Sequence, residues 1–226
     1  MYKLFQKIYY KYFDISKKEY RKLYRYFDGC HTILDLGCGQ GDFCINDRKR
    51  IIGVDINRTS LQKARKLGYR VSYGNALRLP FKKCSFDGVF CAHLIEHFDS
   101  KDALSLLKEI GRVLMPGGIL LIQTPLLHKA FFNNFTHEKV YTPEAIMHYF
   151  SDTDNTTYNK VGTYEIRNLF YRYAPLYNPI IEPKRLPTSP YKSILILLKC
   201  VSTLLYFLGI KNYLCKDGYT LVLRKI

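Results

Sequence analysis

Short apolar runs recur through the middle of the chain, and each stops at a glycine, a charge or a turn. They lie at 32–36, 51–55, 69–73, 86–91 and 118–123. Runs of this length between turn residues predict buried strands. The fifth is introduced by Met115-Pro116-Gly117-Gly118, a predicted turn. Between them, apolar residues at helical spacing predict helices over 59–67 and 101–114. In the second helix Leu104, Leu107, Ile110 and Leu114 share one face. Repeated strand–helix alternation predicts a mostly parallel sheet with helices on both faces, an α/β fold.

The flanks are less regular. Residues 1–29 read as one or two basic helices, with Leu4, Ile8 and Phe13, then Tyr20, Leu23, Tyr24 and Phe27 at helical spacing. They predict either an amphipathic lid on the core or a basic, aromatic surface for lipid headgroups or nucleic acid. Thr142-Pro143-Glu144 predicts a helix start, since Thr caps and Pro suits the first turn. A polar loop follows at 151–160, then a strand at 164–173. Prolines 175, 179, 183, 187 and 190 exclude regular helix across 174–192. Residues 193–210 are apolar, and 218–226 form a last strand. As a helix 193–210 spans roughly 27 Å, short for a bilayer core. Lys199, Ser202, Thr203 and Tyr206 draw a narrow polar stripe along it. That pattern suits a helix lying on the chain's own core, on a dimer mate, or in a membrane interface. The expected organisation is a basic lid (1–29), a core (30–150) and the remainder of the same domain (151–226).

Charge adds a hint about partners. Thirty-five Lys and Arg against 19 Asp and Glu give +16. Such a surplus fits an anionic partner such as RNA, a membrane surface or a phosphorylated substrate, or simply a generally basic set of cell proteins. The seven cysteines, at 30, 38, 44, 84, 91, 200 and 215, are odd in number and form no C-x-x-C pair. They predict reduced, buried thiols in a cytosolic protein. Lys and Tyr interrupt the first 20 residues, so no secretory apolar region is read there. The expected location is cytoplasmic, at most peripheral to a membrane.

The informative segment is Asp35-Leu36-Gly37-Cys38-Gly39-Gln40-Gly41. Its glycines allow a tight turn and close approach of backbone to a ligand. The dinucleotide fingerprint G-x-G-x-x-G fails, because Asp42 stands at its last position. Asp55 ends the second run, where a carboxylate can accept both ribose hydroxyls of an adenosine. Asn75 follows the third run, Phe86-Asp87-Gly88-Val89 opens the fourth, and Leu114-Met115-Pro116-Gly117-Gly118 leads to the fifth. In this order the segments resemble the class I methyltransferases that use S-adenosylmethionine (SAM), and look closest to the small-molecule, ubiquinone-pathway-like group. The resemblance covers about 30–150. It implies a Rossmann-like class I methyltransferase fold with a seven-stranded sheet, and SAM as cofactor. It further implies that Asp35, Gly37, Cys38, Gly39 and Gly41 hold the methionine end. Asp55 would hold the ribose, Asn75 and Ala76 would flank the adenine, and Ile56 and Cys91 would also contact the cofactor. The short interval from 41 to 51 predicts a first helix of only two turns.

Catalytic candidates cluster in Cys91-Ala92-His93-Leu94-Ile95-Glu96-His97. On a helical turn His93, Glu96 and His97 would share one side. Ubiquinone-pathway and small-RNA 2′-O-methyltransferases look similar here, with Glu in place of His93, and His137 lies where the small-RNA enzymes supply a further His. That likeness implies a metal site of His93, Glu96, His97 and His137. The alternatives are that His97 or His137 serves as a base or acceptor contact, or that Glu96-His97 is structural. The main expectation is His97 and His137 as catalytic groups with no metal. No Asn/Asp-Pro-Pro-aromatic run and no Pro-Cys follow the fourth strand, which argues against amino-base and cytosine C5 methylation. The expected activity is methyl transfer from SAM to O or N of a small or lipid-linked acceptor, with membrane contact through 193–210 and the basic N-terminus. The alternatives are RNA 2′-O methylation and SAM binding without turnover.

Overall fold

The computed structural model describes residues 15–128, 131–150, 162–175 and 214–226. The apolar stretch at 193–210 and the loop at 151–160 lie outside the described residues.

The strands are β1 (Ile33–Leu36), β2 (Ile51–Asp55), β3 (Val71–Tyr73), β4 (Phe86–Ala92), β5 (Leu114–Pro125), β6 (Tyr164–Pro175) and β7 (Leu214–Lys225). They form one sheet in the order β3-β2-β1-β4-β5-β7-β6. All pairs from β3 to β5 are parallel, and β7 runs antiparallel to both its neighbours. The seven-stranded, mostly parallel sheet is therefore as expected. Strand order reverses at β1, whose neighbours are β2 and β4. In open α/β sheets the carboxyl ends of the strands at such a switch point frame a ligand crevice.

Alternation along the strands feeds two cores. Leu34, Leu36, Val89, Leu120 and Ile122 point to one face. Ile33, Phe90, Leu121 and Val222 point to the other. The first face is covered by the helix α3 (Ser100–Val113), which buries Ala103, Leu106, Leu107, Ile110 and Val113. Leu104 is only half-buried, so the stripe sits one residue off the expected face. The second face is covered by α1 (Ile15–Tyr24), the 3₁₀ turn Arg25–Phe27 and α2 (Arg58–Lys66), through Leu23, Phe27, Leu61 and Ala64. Residues 19–27 thus lie on the core as a lid would.

Capping follows local chemistry. Asn57 Oδ1 accepts from Ser60 N at the start of α2, and Asp99 Oδ1 from Asp102 N at the start of α3. Thr142 Oγ1 accepts from Ala145 N at α4 (Pro143–His148), as its sequence suggested. Two elements differ from expectation. Met115–Gly118 is not a separate turn but a bulge inside β5: the register with β4 jumps from Phe86↔Leu114 to Gly88↔Ile119. The helix expected after the glycine loop shrinks to a single 3₁₀ turn, Cys44–Asn46. Side chains there compete for the backbone. Asn46 Nδ2 donates to Phe43 O, and Asp47 Oδ1 accepts from the amides of Lys49 and Arg50. Among the described residues, no helix is long and apolar enough to cross a membrane.

Candidate functional site

β1 ends against the glycine loop. Gly37, Gly39 and Gly41 all have positive φ, at 71°, 54° and 86°. The loop is pinned to β2 from below, where Gly37 N and Cys38 N both donate to Val54 O. Walls stand close on either side. A Cβ on Gly41 would meet Tyr69 Cδ2 at 2.5 Å, and one on Gly37 would meet Leu94 Cδ1 at 3.2 Å. Among the described residues nothing lies within 4 Å of where a Cβ on Gly39 would stand. The loop therefore has a packed floor and an open top, a backbone cradle for a ligand.

Asp55 clasps this cradle from the end of β2. Its Oδ2 accepts from Gly39 N at 2.8 Å, and its Oδ1 from Asn57 N at 2.6 Å. Each carboxylate oxygen keeps lone-pair capacity for a further donor. Asp35 lies beneath the loop, almost fully buried. Burial pushes its carboxyl up to about 7. The Cys44 thiol, 3.5 Å from Oδ2, pulls the other way, and the charges of Asp55 and Asp42 add to the rise. No cation neutralises it among the described residues. A buried carboxylate of this kind under an open cradle suits a ligand that brings a positive charge.

The remaining expected cofactor contacts divide. Ile56 is exposed just beyond Asp55. Asn75 Oδ1 accepts from Leu77 N at 2.9 Å, closing its own turn, which leaves its amide hydrogens and one lone pair of Oδ1 for a ligand. Ala76 is half-buried beside it. Cys38 and Cys91 are buried. The Cys38 sulfur fills the space above Gly53, and Cys91 belongs to the core beside Leu36 and Ile122. Both therefore offer the site backbone and not thiol. Burial pushes the Cys38, Cys44 and Cys91 thiols well above their ordinary range, so they stay protonated and unreactive.

The histidine cluster at the end of β4 is not the single helical face expected. His93 takes a left-handed backbone, φ 52°, and only Ile95–His97 form a 3₁₀ turn. The His93 ring is drawn toward β6. Its Nε2 lies 3.2 Å from Arg172 Nη1, and Arg172 Nε donates to Asp217 Oδ1 at 3.0 Å. Arg172 can only donate, so His93 Nε2 accepts and Nδ1 carries the proton. Nδ1 lies 3.3 Å from Glu96 Oε1, so its polar N–H faces the carboxylate, though Oε1 makes no hydrogen bond.

Glu96 is completely buried. Burial acts to raise its carboxyl, but the pull of His93, its backbone amide and the Thr124 hydroxyl holds it below the ordinary value. Thr124 Oγ1 donates to Oε2 at 3.0 Å. His97 Nδ1 lies 3.0 Å from Thr136 O. A carbonyl only accepts, so Nδ1 is the protonated nitrogen and Nε2 keeps its lone pair. The His97 and His137 rings meet edge to face, centroids 4.9 Å apart, and Phe131 backs His137 at 4.7 Å. His137 Nδ1 is buried without a hydrogen bond. Ligand atoms of Glu96, His97 and His137 lie within 4.8 Å of one another. His93 is not in this group, so three of the four expected metal candidates converge and the fourth is held by Arg172.

The two halves touch. Leu36 and Cys91 are paired in register, and Leu94 stands against Gly37. The cradle and the histidine pair thus open at the same edge of the sheet. Over it lies α1: Tyr20 packs edge-on to Phe90 at 5.4 Å, and Glu19 Oε1 accepts from Gln123 Nε2 at 2.7 Å. Glu19, Arg172 and Asp217 could not be found from sequence, because lid and strand pairing bring them to Gln123, His93 and Arg172 across 104, 79 and 45 residues.

Comparison with known proteins agrees with this geometry. Residues 34–122 match the family model described as a methyltransferase domain. The chain is similar to "Probable tRNA methyltransferase 9B" of Bos taurus, 36% identical over 92 residues, 40% of this chain and 20% of that protein. It is also similar to a demethylmenaquinone methyltransferase of Lactococcus lactis, 35% identical over 119 residues, 44% of this chain and 46% of that protein. The chain thus spans less than half the length of these curated relatives. Among solved structures, a SAM-dependent methyltransferase from Archaeoglobus fulgidus shares the fold over the whole of both chains, with a TM-score of 0.62 at 20% identity.

Proposed function

We propose that this chain is a class I SAM-dependent methyltransferase that moves a methyl group from SAM to an O or N atom of a small or lipid-linked acceptor, a reading supported by the match of residues 34–122 to a methyltransferase-domain model. The observation that carries this reading is the shared edge: the glycine cradle clasped by Asp55, and the His97–His137 pair beside it. The residues fit the cofactor. Gly37, Gly39 and Gly41 would take its amino-acid end, with buried Asp35 offering charge to the ammonium. Asp55 would take the ribose hydroxyls, and Ile56, Asn75 and Ala76 would flank the base. When bound, SAM supplies a methyl already activated by its sulfonium.

The protein's share is alignment and proton removal. The acceptor O–H or N–H gives its proton to His97 Nε2, the nitrogen left basic by the hydrogen bond at Nδ1. His137 packs against that ring and steadies it. Buried, ionised Glu96 favours an imidazolium nearby, which helps the transfer. Leu127, Phe132 and Phe135, exposed on the loop that carries His137, give an apolar rim suited to an apolar acceptor.

A second reading, an RNA acceptor, has its own observation. Residues 48–83 carry eleven Lys and Arg against Asp55 alone, on α2 and the β3 edge of the sheet. There Arg58 stacks over Tyr73 at 4.0 Å, a pairing suited to phosphates and bases. The test is incubation of the protein with methyl-labelled SAM and a cell extract, followed by fractionation. Label in the organic or small polar fraction supports the first reading; label in RNA supports the second. No label in any fraction overturns both.

A further inference from the structure

The loop between β5 and α4 carries three large apolar side chains that are exposed: Leu127 is 66% exposed, Phe132 67% and Phe135 99%. Exposed apolar groups clustered on one loop mark a contact surface. This loop also carries Thr136 and His137, which touch His97, so the patch rims the mouth of the candidate site.

A second observation converges on the same edge. β6 ends and β7 begins in register, Pro175 opposite Leu214, and Leu126 N donates to Asp217 O at 2.9 Å. Pro175 and Leu214, which flank residues 176–213 in the chain, therefore lie on the strands that run past Leu126. In sequence that connection carries Lys184, Arg185, Lys192, Lys199 and Lys211 against Glu182 alone, together with the apolar run 193–210. Exposed apolar side chains, in a chain whose sequence joins these two strands by a cationic and apolar stretch, are the makings of an interfacial contact with an anionic bilayer.

We propose that Leu127, Phe132 and Phe135 enter the interface of an anionic membrane, so that the mouth beside His97 and His137 opens onto lipid. This rests on the lipid-linked part of the acceptor reading above. It implies that the acceptor reaches the mouth laterally from the bilayer, its apolar tail remaining in lipid while the reacting O or N atom meets His97.

The chain contains no tryptophan, which makes the test direct. In the full-length protein, Phe135→Trp is the sole tryptophan. Its emission should be that of a water-exposed indole in buffer. With phosphatidylglycerol vesicles it should shift to the blue and be quenched by brominated lipid. Phe132→Ser with Phe135→Ser should weaken vesicle partitioning roughly tenfold or more without loss of folding, since both side chains are exposed. Emission already blue in buffer would overturn the proposal and mean that the chain itself, 193–210 first, covers the loop. Emission unmoved by vesicles, partitioning unchanged in the double variant, or equal binding to pure phosphatidylcholine would also overturn it. SAM binding, followed by calorimetry in the same samples, separates the two claims. Vesicle binding lost with SAM binding intact defeats only the membrane contact. SAM binding absent with vesicle binding intact defeats only the methyltransferase reading.

Discussion

Asp35→Asn should make the ligand-free protein more stable and its cofactor binding weaker. Asp35 is almost fully buried beneath the glycine loop, and its carboxyl is pushed from an ordinary 3.8 to about 7. The folded state therefore holds the proton more tightly than the unfolded chain. Below pH 4 both states are protonated and Asp35 costs nothing. As pH rises from about 4 to about 7 the unfolded chain ionises first, and stability falls. Above pH 7 the loss is complete: roughly three pH units at about 1.4 kcal/mol each, or about 4 kcal/mol. Asn has nearly the same shape and no charge, so it escapes this cost. Urea unfolding of both proteins at pH 5 and pH 8 checks it. The advantage of the variant should be about 1–2 kcal/mol at pH 5 and about 4 kcal/mol at pH 8. With saturating SAM the order should reverse or close, because the wild-type carboxylate gains a cationic partner. A variant no more stable than wild type at pH 8 would show that the buried Asp35 carboxyl carries no such cost.

Three further expectations follow from the site. His97→Ala should lower methyl transfer about 10²–10⁴-fold while leaving SAM affinity within about twofold, read by labelled transfer and calorimetry; equal losses in both would assign His97 to cofactor binding instead. Gly41→Ala drives a Cβ to 2.5 Å from the Tyr69 ring at a φ of 86°, so chemical denaturation should register a loss of about 1–3 kcal/mol together with weaker SAM binding. If His97 acts as the base without a metal, transfer should survive a chelator. Activity lost to chelation and restored by zinc or manganese would instead make Glu96, His97 and His137 metal ligands.

The sheet was largely legible because its strands are buried on both faces and read as short apolar runs. Ile51–Asp55 coincides with its predicted run, and β1 and β4 fall within a residue of theirs. The glycine cradle and Asp55 were legible for a related reason: a backbone that must bend at 37, 39 and 41 leaves glycines in the sequence. Three features were not. The helix after the cradle was lost to side chains, Asn46 and Asp47, that capture the backbone donors and acceptors a helix needs. The helical grouping of His93 with Glu96 and His97 fails because Arg172, supplied by a strand 79 residues away, turns the ring of His93 outward from the pair. The apolar rim of Leu127, Phe132 and Phe135 has no periodicity to announce it, and only the placement of the loop over the β4 end sets it near His97. What local pattern encodes was visible; what long-range pairing brings together was not.

If the cradle clasped by Asp55 holds SAM, calorimetric titration with SAM should separate the wild-type protein from Asp55→Ala. The wild type should show one saturable site, and the variant an affinity at least about tenfold weaker through the loss of charged hydrogen bonds to the ribose. Equal affinity in the two proteins, or no binding by either, would contradict that placement of SAM.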